Sequence, residues 1–122
     1  MAHFAQIEDG KVVQCLVVSN DDCDNLDFPA SEPIGQAFLA SIGLGEGWLQ
    51  TSYNNNFRGR FGCQGSTYDS TLDAFYAPQP YPTWVLDESF VWVPPIPRPT
   101  SGYWTWNEQT QQWDEEEDPY TD

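Results

Sequence analysis

Hydrophobic and polar positions along this chain follow strand-like spacing almost everywhere, and one segment alone carries a helical period. Two runs of β-formers, up to Ile7 and from Val12 to Val18, flank Asp9-Gly10. An Asp-Gly pair between such runs predicts a hairpin, because both central residues of a type I′ turn need positive φ. Phe4 and Ile7 break strict alternation, so the first strand is expected to be short. Val12, Val13, Leu16, Val17 and Val18 are nearly continuous, which predicts a strand buried on both faces or beside a subunit interface. Ser19 to Pro29 reads as an acidic, turn-rich loop. Between Ser31 and Ile42, Ile34, Ala37, Phe38 and Ile42 recur at helical spacing, a face expected to pack on the sheet. Ser31 is the expected N-cap, with Glu32 and Pro33 in the first turn and Gly43 as the stop. Trp48, Leu49, Thr51 and Tyr53 then read as a strand, and Asn54 to Gly65 as a long polar, glycine-rich loop.

The C-terminal half has a different texture. Aromatic residues sit on both sides of short acidic turns, and prolines separate the units. Trp84-Val-Leu-Asp-Glu-Ser-Phe-Val-Trp92 and Trp104-Thr-Trp-Asn-Glu-Gln-Thr-Gln-Gln-Trp113 align with one inserted residue, and Tyr68 to Phe75 is a looser copy. Each reads as a hairpin, at a repeat of about 20 residues, too small to bury both faces alone. Pro78 to Pro82 and Pro94 to Pro99 must be extended, since each proline fixes its own φ and restricts the residue before it. The expected fold is mainly β: a small antiparallel sheet of short hairpins, one short α-helix and proline-rich extended C-terminal segments. A single domain over 1–113 is expected. It comprises an N-terminal hairpin plus helix over 1–65 and an aromatic hairpin region over 66–113, with an acidic tail at 114–122.

Composition narrows the partners. The chain has 122 residues, with 19 acids against 4 basic residues and a net charge of −15. Nucleic-acid binding needs clustered Lys and Arg, and an anionic membrane would repel this surface, so neither is an expected partner. A neutral or basic protein surface is. The 3 cysteines, Cys15, Cys23 and Cys63, form no CxxC, and His3 is the sole histidine. No zinc set follows from these, and free thiols in a reducing cytoplasm are expected. The acids between Asp21 and Asp27 lack the spacing of a calcium loop. No cofactor or metal is expected. No signal-peptide or membrane-spanning run is legible, which predicts a protein made in the cytoplasm.

Catalytic sets are poorly served. A nucleophile–histidine arrangement would depend on His3 beside the N-terminus, and the carboxylates Asp87 and Glu88 fall at a predicted turn tip. Non-enzymatic binding is expected instead. Arg58 and Arg60 lie between Phe57 and Phe61 on the glycine-rich loop of an otherwise acidic chain. They either contact a partner or neutralise acids nearby. With Phe61 and the hairpin residues Trp84, Trp92, Trp104 and Trp106, they make up the candidate partner-binding set. Exposed tryptophans at these positions would also suit a carbohydrate platform.

The N-terminal MAHFAQIEDGKVVQCLVVSN, the YD-x-x-x-D-x-F segment ending at Phe75, the P-Q-P-Y-P-x-W-x-L-D-E segment and W-x-P-P-x-P at Trp92 to Pro97 resemble a family of small proteins encoded by marine tailed bacteriophages, cyanophages especially. The likeness covers nearly the whole chain. The resemblance implies a structural, virion-located protein. Within that class the expectation is a capsid decoration or cement protein that binds the major capsid protein and forms a homo-oligomer. A tail or tail-fibre accessory is the alternative.

Overall fold

The first strand, β1 (Ala2–Glu8), turns through Asp9-Gly10 into β2 (Lys11–Val18). Asp9 (φ 52) and Gly10 (φ 77) both take the left-handed conformation the sequence requires of this turn. β1 is longer than expected. Its two faces are both covered, so Phe4 packs on one side and Ala5 and Ile7 on the other, and no alternation is needed. A register shift between Gln6 and Ile7 inserts one extra residue in β2 and bends the pair. A computed structural model describes residues 1–120.

β3 (Trp48–Thr51) adds to the other side of β1, while β4 (Thr67–Asp69) and β5 (Ala74–Tyr76) extend the sheet beyond the start of β2. The order is β3-β1-β2-β4-β5, antiparallel throughout. A 3₁₀ turn, Asn20–Cys23, and helix α1 (Ser31–Ser41) follow β2 and cover one face. There Phe4, Val18, Cys23, Leu39 and Trp48 form one core. Ala5, Val12 and Phe75 form a second on the opposite face, with Ile7, Cys15, Leu49 and Tyr68 around it.

The helix is where expected but rotated. Its inward line is Ser31, Gly35 and Leu39, while Ala37 and Ile42 are exposed. The reason is Gly35. A Cβ there would lie 2.2 Å from Cζ of Phe4, so a glycine lets the helix settle directly on the aromatic ring. Ser31 is not the cap. Ala30 holds that position without a side-chain bond, and the buried Ser31 hydroxyl donates instead to Gln50 Oε1 at 2.6 Å.

The chain forms two compact units, Met1–Pro78 and Gln79–Asp122. The division expected near residue 65 falls inside the first unit, because β4 and β5 pair into its sheet. The second unit contains two hairpins, β6 (Val85–Leu86) with β7 (Trp92–Val93) and β8 (Tyr103–Asn107) with β9 (Gln112–Glu116). β9 takes in Asp114 to Glu116, so the first part of the expected acidic tail is a strand; Thr121 and Asp122 lie outside the described residues.

The repeat read from sequence holds at the turns. In the three hairpins Tyr68 pairs with Phe75, Leu86 with Trp92 and Trp106 with Trp113. One residue later stands Asp69, Asp87 or Asn107. Each carboxylate or amide oxygen accepts two backbone N–H groups of its own turn. Two residues before the return aromatic stands a residue at positive φ: Asp73 (49), Phe90 (61) or Gln111 (53). Tyr68–Phe75 therefore matches Trp106–Trp113 in length and turn geometry, although it belongs to the larger sheet.

Candidate functional site

The glycine-rich segment does not hang free. Phe75 N–H donates to Arg58 O, and Arg60 N–H donates to Phe75 O, each at 2.9 Å, with Gly59 in a parallel bridge to Phe75. Gly62 lies against the Phe75 ring, where a Cβ would meet ring atoms at 2.6–2.9 Å. This anchoring turns the Arg58 side chain inward. Its guanidinium forms a two-pronged ion pair with Glu32 of α1, donates to Gln50 O at 3.1 Å and reaches Asp73 at 3.0 Å. It also lies 5.0 Å from the centre of the Phe28 ring, which stacks on Phe57 at 3.8 Å. Arg58 is thus a tie between helix, sheet and loop, and it neutralises acids of its own chain. Arg60 takes no part in this network. Its Nε is enclosed without a hydrogen-bond partner among the described residues.

Phe61 packs its edge on His3 at 5.5 Å and meets Tyr53 at 5.3 Å. His3 stacks on Tyr53 at 5.6 Å. Burial and the neighbouring N-terminal amine hold the His3 imidazole below its ordinary pKa. This cluster borders a cleft of about 280 Å³ between the start of β1, the 26–28 segment and the 50–57 turn. Tyr53, 66% exposed, forms part of its rim with Asn54 and Asn56. A second cavity, about 330 Å³, lies between the C-terminal half of α1 and the Gly45–Gly47 turn. Ala37, Ala40 and Trp48 make its apolar lining, and Gln36 Nε2 donates across its floor to Trp48 O at 2.7 Å. The chain between these walls carries Ile42, 54% exposed, and the exposed Leu44. Sequence reading placed Ile42 in the core and did not single out Leu44. The helix rotation set by Gly35 is the signal that was missed.

The hairpin tryptophans serve the second unit itself. Trp84 lies 5.9 Å from Trp106 and 6.2 Å from Trp113, and Trp106 and Trp113 meet edge-to-face at 5.2 Å. Trp106 is only 6% exposed, and Trp84, Trp92 and Trp104 are half-buried. Trp106 Nε1 and the Thr83 hydroxyl both donate to Glu108, at 3.0 and 2.7 Å, and these bonds hold its carboxyl below the usual range. Trp104 Nε1 donates to Ser101 O, and Trp113 Nε1 to Ile96 O in the proline spacer. The enclosed Trp84 Nε1 has no such partner among the described residues. A unit this small uses its large rings as a core.

Asp87 and Glu88 occupy a turn tip as expected, and Asp87 is committed to its own backbone. Among the described residues no cluster of His, Cys, Asp and Glu suits a metal ion, and no helix is long and apolar enough to cross a membrane. Comparison with protein-family models, with curated proteins and with solved structures finds no match.

Proposed function

We propose that the chain is a structural accessory protein of a bacteriophage particle, a decoration or cement protein that attaches to the major capsid protein without catalysing a reaction. The phage context rests on the sequence resemblance. The observation that carries attachment is the apolar groove beside α1. Ala37, Ala40 and Trp48 give it an apolar lining beside Gln36, Gly45–Gly47 forms the far wall with Glu46 in it, and the chain that links the two walls carries the exposed Ile42 and Leu44. Such a groove accepts an apolar side chain of a protein partner and offers backbone groups at its edge. The test is co-sedimentation of the purified protein with mature capsids, followed by localisation on the particle. Attachment is expected for the natural chain. It is lost in Ala40→Glu, which places a charge in the groove at an exposed position and leaves the melting temperature unchanged. A chain that binds neither heads nor tails refutes the reading, and binding to tails alone replaces it with the tail-accessory role.

A second reading, carbohydrate binding, is favoured by one feature, the exposed Tyr53 ring beside Asn54 and Asn56 in the 280 Å³ cleft. Glycan-array binding that Tyr53→Ala abolishes is the expected result under this reading. No signal on the array removes it.

A further inference from the structure

β2 is paired fully on one side only. β1 accompanies it from Ala2↔Val18 to Glu8↔Lys11. On the other side β4 meets it at Lys11↔Thr67 alone, and the following loop adds Val12, which donates to Ser66 O and accepts from Gly65 N–H, both at 2.9 Å. From Val13 to Val18 no described residue pairs with this outer edge.

Alternation determines which groups face outward. Ile7 N–H donates to Gly47 O on the β3 side. Ile7, Ala5 and His3 therefore direct their backbone groups to β3, and Gln6, Phe4 and Ala2 direct theirs to β2. Their β2 partners, Gln14, Leu16 and Val18, face back toward β1. Cys15 and Val17 must then present N–H and C=O outward, as Val12 does. Open edges of this kind are normally blunted by proline, by charge or by a cover. Between Val12 and Val18 this strand has no proline and no charged residue, and the Val17 side chain is 52% exposed.

We infer that this edge pairs with the same edge of a second copy, antiparallel about a two-fold axis at Leu16. That register places Cys15 opposite Val17 of the other copy, and the reverse, so all outward groups of both strands bond. A slip in one direction sets Val17 against Val13, the bulge residue. A slip in the other sets Cys15 against Ser19, whose carbonyl already accepts from Asp22 N–H. The charges agree with the same register. A chain of net charge −15 repels its copy, yet from Lys11 to Asn20 the only charge is Lys11. Antiparallel pairing carries that lysine toward the acidic turn beginning at Asp21 of the other copy, at both ends of the contact. The pairing runs along the part of β2 that β4 leaves uncovered and uses no residue of the groove beside α1.

The contact involves one short strand segment from each copy, so it belongs with weak reversible interfaces. Sedimentation velocity of the full chain over a concentration series tests it. Dimers are expected to accumulate with concentration and to increase with added salt, which screens the repulsion between two acidic molecules. Val17→Pro removes an N–H that the monomer does not use, and proline is tolerated on such an edge. It should abolish the dimer, as should Val17→Lys, an exposed change that keeps the fold even if the proline does not. Leu72→Lys, equally exposed on the β4–β5 turn, should leave dimerisation intact. Leu16→Cys in a Cys63→Ser background should form a disulfide-linked dimer on mild oxidation. A monomer throughout the series, or a dimer that survives both Val17 variants, overturns the proposal. Failure of the Leu16→Cys link overturns the register.

Discussion

Removing the Arg58 guanidinium is the sharpest test of how the first unit is held together. The side chain is 11% exposed and Glu32 is 16% exposed, so the pair is largely withdrawn from water. Arg58→Ala leaves the Glu32 carboxylate in place without its cation. Breaking a buried pair from one side costs about 3–5 kcal/mol. The lower end applies here, because Glu32 still accepts from Gln50 N–H at 2.8 Å and keeps some solvent. About 3 kcal/mol is a large part of the ~5–15 kcal/mol that stabilises a domain, and corresponds to a fall in melting temperature of about 10 °C. Urea denaturation reads the first quantity and a thermal melt the second, each followed by tryptophan fluorescence and circular dichroism. Adding Glu32→Gln removes the stranded charge and keeps an acceptor for Gln50, so the double variant should regain about 1 kcal/mol or more. Asp73→Asn tests the outer arm of the network, where the carboxylate is 56% exposed and the pair contributes under about 1 kcal/mol. A loss below about 1 kcal/mol for Arg58→Ala, or no recovery with Glu32→Gln, refutes the structural role and returns Arg58 to the surface as a partner contact.

Gly35→Ala should destabilise by about 1–3 kcal/mol in chemical denaturation, since its Cβ meets the Phe4 ring, and Phe4→Leu in the same chain should recover part of the loss. Thiol labelling of the native protein should modify the exposed Cys63 first. The Cys15 thiol donates to Gly62 O at 2.6 Å and is pushed up to about 11 by burial and by Cys63, so it and the buried Cys23 should react only on unfolding. The Cys15 shift has a sign: the native thiol keeps its proton where the unfolded one loses it, so stability should fall as pH rises from the ordinary value of 9.0 toward 11. Cys15→Ala should flatten that alkaline slope in a series of denaturant melts. Asn107→Ala removes an acceptor of two turn amides and a donor to Asp114, and should loosen the second unit by about 1 kcal/mol, seen as earlier exposure of its tryptophans to a quencher.

Local chemistry was legible wherever a few adjacent residues determine it. Asp9-Gly10 announces its hairpin because few residues accept positive φ. Asp69, Asp87 and Asn107 announce their turns because a short polar side chain can close the loop on its own backbone. The mainly β fold with one short helix follows from those signals and from the spacing around Ile34 and Phe38.

Other features depend on what lies across the core. Nothing near Gly35 in sequence reveals that Phe4 presses on it, so the helix face came out rotated and Ile42 was assigned to the interior. Arg58 reads as a spare cation on a loose loop until the bonds to Phe75 draw it in beside Glu32, whose position in the sequence is 26 residues away. The hairpin tryptophans carry the same spacing whether they face solvent or one another; their mutual packing decides it. The continuous apolar run of β2 pointed either to burial on both faces or to a subunit edge. Burial is a sum over neighbours that only the folded chain brings together. Those neighbours bury Val12 and Val18, at the two ends of the run, and leave Val13 and Val17 exposed.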